Sequence, residues 1–334
     1  MKLIVSGQKY SGSGALLDWL KGIENIIVSP IRIIPFEPVS YGLRIGQMIN
    51  QTDKKKKFAL IERQIFESKK MTLRLRCIAF ANSVPVLFDA YGAIKKIFRR
   101  QPLKGARGIH ASTGTRPDIA TIKLYLYWLE TYRQKLEHGP FDETGFWKKW
   151  LDKAVAPIQG NHEHIALDKG IPFTQFELRE LWEALYSPFK MILVHRDPGD
   201  KLAENIRQLG WAEFLHSTPK EQQVKHQLDQ IEFELSCYEK LVVLDPNRYL
   251  ALPFEGFVAD FPSWESKLAS WLFDNNVSYR QNMDRPYFDP NKSKLNVGIL
   301  SQNPELLKLL SLHDEQMVRI KNIRERLNSL SLQR

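Results

Sequence analysis

Cysteine is nearly missing from this chain: two thiols, Cys77 and Cys237, occur in 334 residues, and no CxxC pair is present. A disulfide framework or a cysteine zinc site needs closely spaced thiols, so neither is expected, and both cysteines read as buried and inert. Long apolar runs are lacking too; none reaches the roughly 18 residues that a membrane span needs. The first residues do not form a secretory leader, because Ser6, Gln8 and Lys9 interrupt the opening apolar stretch. A soluble, cytoplasmic protein is the expectation. Internal repeats and low-complexity tracts are also absent. What remains is ordinary globular usage, 43% hydrophobic and 26% charged, with a net charge of +10. That charge attracts any polyanion, whether nucleic acid, an anionic membrane or a sulfated or phosphorylated ligand, and does not choose among them. No nucleic-acid-reading motif is present, and Lys54 to Lys57 reads as a solvated loop.

The most informative stretch is Leu3 to Trp19, LIVSGQKYSGSGALLDW. A short apolar strand runs into a turn of small residues and then into an amphipathic helix. Gly7, Gly12 and Gly14 let backbone N–H groups approach an anion, and Ser11 and Ser13 add hydroxyl donors at the positive end of the helix. An ordinary βα turn is the plain alternative. Gly7 and Gly12 fit the first half of the P-loop spacing, but Ser13-Gly14 stands where its Lys-Ser/Thr pair belongs. The available ammonium, Lys9, precedes the small residues.

A second stretch, Lys190 to Arg207, reads KMILVHRDPGDKLAENIR. Met191 to Val194 suits a buried parallel strand, and His195-Arg196-Asp197-Pro198 closes it with a charged turn whose proline suits the next helix start. Arg196 is thereby expected at the carboxyl end of a sheet strand, where open α/β sheets bind ligands. The HRD triplet mimics a kinase catalytic loop, but Leu202 occupies the place of its asparagine and no DFG follows. Pairing of Arg196 and Asp197 with their neighbours at a helix start is the structural alternative.

Together these segments resemble the PAPS-dependent sulfotransferases, specifically bacterial-type, carbohydrate-sulfotransferase-like members. Ser11-Gly12-Ser13-Gly14 matches the core of that family's 5′-phosphosulfate loop, and Arg196-Asp197-Pro198-Gly199-Asp200 matches its RDPxD signature, whose arginine holds the 3′-phosphate. Leu252 to Asp260 is similar to the family's Tyr-Glu-Asp-Leu segment after a core strand. Asn291 to Leu300, NKSKLNVGIL, resembles the late basic loop over the nucleotide, which adds Lys294 and Asn296. The resemblance implies a P-loop-like three-layer α/β fold, with a central parallel sheet flanked by helices and helical insertions. It further implies one domain over residues 1–334, acceptor-side insertions around 36–160, PAPS as sulfuryl donor with PAP as product, and no metal. Two departures stand out. The family's loop cation falls on Tyr10, with Lys9 one residue earlier, and the family's serine for the 3′-phosphate falls on Glu204, which leaves Asn205 as the neighbouring donor.

Sulfuryl transfer to a hydroxyl, a carbohydrate being one acceptor, needs a base. His162 and His164 in QGNHEH precede the Arg196 strand by about the family's interval, and histidine titrates near pH 6.5. A structural histidine pair and an HxH metal pair are the alternatives, with Asp168 the reserve base; His110, in a basic loop, reads as a substrate contact or an exposed side chain. Other whole-chain readings are a P-loop-type kinase or phosphotransferase, and a degenerate member that binds nucleotide or glycan without turnover. Coarse periodicity predicts strands near 25–35, 84–89, 191–194 and 249–253, and an exposed loop over 99–117. It predicts helices over 119–138, 144–155, 219–244 and 262–273, and from 304 to the end.

Overall fold

The computed structural model describes residues 1–7, 11–29, 45, 47–83, 119–168, 174, 176–209, 219–273 and 287–332. The chain divides into two compact units, one of residues 1–28 with 159–334 and one of 29–158.

The first unit is α/β. Its five strands are β1 (Lys2–Ser6), β2 (Ile26–Val28), β3 (His164–Asp168), β4 (Phe189–His195) and β5 (Tyr249–Pro253). They form one all-parallel sheet in the order β2-β3-β1-β4-β5. Parallel strands covered on both faces read as continuous apolar runs, and KLIVS and FKMILVH do so. One face buries Leu3, Val5, Ile192, Val194 and Leu252 against α1 (Ser13–Lys21), which contributes Leu16, Trp19 and Leu20. Two helices that follow β5, Phe254–Ala259 and Phe261–Phe273, complete that layer with Phe257 and Leu268. Trp19 is 1% exposed and meets Phe257 edge-on at 6.3 Å, a packing whose truncation to alanine would cost about 3–5 kcal/mol.

Helix Pro198–Leu209 follows β4, and helix Lys220–Leu244 returns the chain to β5. The latter buries Val224, Leu228, Ile231, Leu235 and Tyr238, the stripe its 3.6-residue period predicts. The carboxyl-terminal segment holds two helices, Pro304–Ser311 and Asp314–Leu332, where periodicity predicted one. Leu312 and His313 close the first with backbone bonds to Leu309 and Leu310, and the second starts afresh at Asp314.

The second unit is helical over its described residues, with helices Lys54–Ser83, Ile119–His138 and Glu143–Gln159, the last ending at the boundary with the first unit. Lys54 to Lys57, expected as a solvated loop, opens the first of these helices. Lys57 is 9% exposed and pairs with Glu143 at 2.9 Å, a partner 86 residues away that sequence inspection does not reveal. The strand expected at 84–89, the loop at 99–117 and His110 lie outside the described residues. Cys237 is buried, as expected, and the side chain of Cys77 lies outside the described set. Among the described residues, no helix is long and apolar enough to cross a membrane.

Candidate functional site

Neighbouring strands β1 and β4 end at Ser6 and His195. After β1 the chain crosses to β2, beyond β3; after β4 it crosses the other way, to β5. The connections leaving the carboxyl ends of β1 and β4 therefore run in opposite directions, which leaves between them the crevice where open parallel sheets bind ligands.

The turn after β1 packs to the limit of what glycine allows. A Cβ on Gly7 would lie 2.3 Å from the Ser11 Oγ and 2.7 Å from the Val194 carbonyl oxygen. Gly12 has φ +90°, and a Cβ there would lie 2.2 Å from the Phe254 ring. Ser11 is 2% exposed, yet among the described residues its Oγ has no hydrogen-bond partner. An unpaired buried hydroxyl costs about 1–3 kcal/mol, a sacrifice that a ligand at this point would recover. Helix α1 opens here with no side-chain cap and no acidic residue in its first turn, so the helix itself leaves its positive end uncompensated. Ser13 is buried at its first position. Gly14 is exposed, and a Cβ there would meet nothing. Lys9 and Tyr10 lie outside the described residues.

Each charged or turn residue of the RDPGD stretch has a visible task. The Arg196 guanidinium lies 5.4 Å from the centroid of the Phe254 ring, which also packs against Gly12, so one ring joins the two halves of the crevice. Arg196 donates to the Asn296 carbonyl oxygen and sits 3.9 Å from the Glu255 carboxylate. Asp197 caps the following helix, accepting from the backbone N–H groups of Gly199 and Asp200 at 2.9 and 3.2 Å, and Pro198 is its first residue. Arg324, from the last helix, reaches the other Asp197 oxygen at 2.5 Å. Asp200 accepts from the N–H groups of Gly298 and Leu300 at 2.6 and 2.9 Å, which pins the 296–300 segment over Arg196. Asn296, whose carbonyl accepts from Arg196, is exposed on that segment, and Lys294, exposed, ends the short helix Pro290–Lys294 just before it.

Glu255 stands out electrostatically. Burial, with some repulsion from Asp197, lifts its carboxyl to about 7, against the pull of the Asp197 N–H at 2.9 Å and of Arg196. Nearby, burial and then Lys201 push the His195 imidazole down to about 3, so it stays neutral. Sequence reading left both without a role. The signals for Glu255 were its position just past a strand end and its place in the Leu252–Asp260 stretch likened to the family's Tyr-Glu-Asp-Leu segment.

Other expected residues are placed elsewhere. Asn205 gives its amide to Gln227 at 3.2 Å, and Glu204 is 5% exposed and bonded to Arg207. One of the two Asn205 amide hydrogens is thereby engaged with the neighbouring helix, and the other is the donor left for the phosphate contact that the resemblance implies. His162 and His164 are corrected. His164 opens β3, level with Ile26, and Ile165 pairs with Lys2, so both histidines lie at the amino end of the sheet. About five residues of strand, or roughly 16 Å, separate that end from the Ser11 turn. There His162 Nδ1 lies 3.1 Å from the Gln159 carbonyl, and His164 packs 5.7 Å from Phe273. Burial, then the chain's amino terminus, lowers the His164 titration. Asp168 closes the same strand at the carboxyl end, level with Val5 and one strand away from the β1–β4 crevice, so it stands at the same end of the sheet as that crevice.

Set against protein-family models, curated proteins and solved structures, the chain finds no match.

Proposed function

We propose that this chain is a nucleotide-dependent sulfotransferase that moves a sulfuryl group from PAPS to a hydroxyl acceptor, a carbohydrate being one candidate. The observation that carries this reading is the buried, unpartnered Ser11 hydroxyl at the uncapped start of α1, joined through Phe254 to the buried cation Arg196 at a switch point of the sheet. The residues fit a doubly phosphorylated nucleotide: an orphan donor with helix N–H groups for one phosphate, and a fixed guanidinium for another.

In this reading Ser11 and the first N–H groups of α1 hold the 5′-phosphate. Arg196 exchanges its bond to the Asn296 carbonyl for the 3′-phosphate, and Lys294 closes over it. Bound PAPS supplies a sulfuryl group activated by its S–O bond to phosphate, which breaks as the acceptor oxygen bonds to sulfur. Asp168 takes the acceptor's proton, and Lys9 stabilises the negative charge that stays on the departing phosphate. Glu204, a buried carboxylate where the family has serine, favours a second reading: a protein of this type that binds nucleotide without turnover. The missing lysine after Gly12 argues against the P-loop-like kinase.

Calorimetry with PAP, ATP and GTP, followed by transfer of labelled sulfate from PAPS into glycan and metabolite extracts, tests the proposal. PAP should bind at least about tenfold more tightly than either triphosphate, because Arg196 reads a phosphate that they lack. Equal or tighter ATP binding would overturn it. PAP binding without transfer would select the second reading.

A further inference from the structure

The helical unit carries a feature that nothing in the nucleotide site uses. Helices Ile119–His138 and Glu143–Gln159 are joined by a short turn, and their rings pair in reverse order, Tyr132 with Trp147 and Tyr125 with Trp150, at 5.2 and 5.3 Å. They therefore run antiparallel. Tyr125, Leu129 and Tyr132 on one helix and Trp147, Trp150 and Leu151 on the other form the buried seam. Beside that seam each helix presents a second stripe at the same spacing, 127, 128, 131 and 135 facing 145, 146, 149 and 153. Between the stripes lies an open groove of about 420 Å³. That is inside the range of roughly 300–1,000 Å³ typical of small-ligand sites.

The groove has an aromatic floor and a cationic rim. Three exposed lysines, Lys135, Lys149 and Lys153, line it. Two of them are steered by rings of the same groove: the Lys153 ammonium lies 5.6 Å from the Trp128 centroid and that of Lys135 lies 5.6 Å from Phe141. Asp142, the acidic residue in the lining, turns its carboxylate back to accept from the Gly145 N–H at 2.8 Å. Glu143, next in sequence, is engaged by Lys57 and Tyr132. Three ammoniums against the one Asp142 carboxylate leave the groove lining net positive, and Glu143 is engaged within the fold.

We infer that this groove binds an anionic saccharide, a sugar bearing sulfate or carboxylate groups. Its negative groups meet the three ammoniums, and an apolar C–H face of the ring lies on Tyr127, which is 63% exposed. A stacked nucleobase suits the site less well. Trp128 is only 8% exposed, and lysines already lie over Trp128 and Phe141, so Tyr127 is the single open ring, where a run of stacked bases needs successive platforms. This inference stands independently of the sulfotransferase reading, since every residue in it lies in the second unit.

The test uses the full chain and a heparin-derived tetrasaccharide, with an eight-nucleotide oligouridylate as competitor. Lys135→Gln/Lys149→Gln/Lys153→Gln should weaken tetrasaccharide binding about tenfold or more. Lys54→Gln/Lys55→Gln/Lys56→Gln removes the same charge from an exposed helix start in the same unit and should change binding less than about threefold, a screened long-range effect. Tyr127→Ala should weaken binding several-fold with an unchanged melting temperature. Equal losses in the two triple variants would reduce the effect to the chain's overall basicity and overturn the inference, as would no loss in Tyr127→Ala. Tighter oligouridylate binding with the same variant pattern would reassign the groove to nucleic acid.

Discussion

Ser11 is buried to 2% exposure with an unbonded hydroxyl, an arrangement that destabilises the empty fold. Stability and binding should then respond to its removal in opposite senses. Ser11→Ala deletes an unsatisfied donor, so the ligand-free protein should keep its melting temperature or gain up to about 1 kcal/mol. PAP affinity should fall by roughly tenfold or more, the worth of a hydrogen bond to a charged group. Thermal unfolding and calorimetry on the same preparation check both. A lower melting temperature with unchanged PAP affinity would make Ser11 a structural residue. At this scale much of the crevice was legible. Gly7, Gly12 and Ser11 were readable because turn chemistry is local, and Arg196 because a strand-ending cation is marked by the proline and aspartates after it. The histidines misled because sequence spacing does not say which end of a strand a residue occupies. His164 and Asp168 are four positions apart, yet they stand at opposite ends of the sheet.

Elements that owe their form to distant partners were the ones hidden from sequence. Helix Lys54–Ser83 begins with four lysines, and Lys57 becomes an interior residue only because Glu143 meets it. Strand β3 is five residues long and carries no flanking turn signal strong enough to separate it from the loop around QGNHEH. The pairing of helix Pro198–Leu209 with helix Lys220–Leu244 depends in the same way on a buried contact. Lys201 and Glu234 meet at 3.0 Å with side chains 6% and 5% exposed. Burial lowers the lysine and raises the carboxyl, each offset by the other. Lys201→Met should cost about 3–5 kcal/mol by stranding Glu234 in the core, whereas Lys201→Met/Glu234→Leu should recover most of that loss. Denaturant unfolding of the full cycle measures it. Additive losses, with no recovery in the double variant, would mean that the two helices do not depend on this contact.

For the whole molecule, the net charge of +10 explains attraction to anions but not which anion is chosen, and the sheet topology gives a place without a chemistry. The composition and the apolar strands made the α/β class readable from sequence. Strand order was not readable, because it depends on which crossovers pass which strand. The central claim is that the crevice between β1 and β4 reads a nucleotide with a separate 3′-phosphate, through Arg196. Titration of PAP and of adenosine 5′-phosphosulfate, which lacks that phosphate, into wild type, Arg196→Lys and Arg196→Ala tests it most directly. Arg196→Ala should weaken PAP by about ten- to a hundredfold and the phosphosulfate by less than about threefold, with Arg196→Lys intermediate for PAP. Equal losses for the two ligands, with a matching fall in melting temperature, would show instead that Arg196 serves the fold through Asn296 and Glu255 and reads no phosphate.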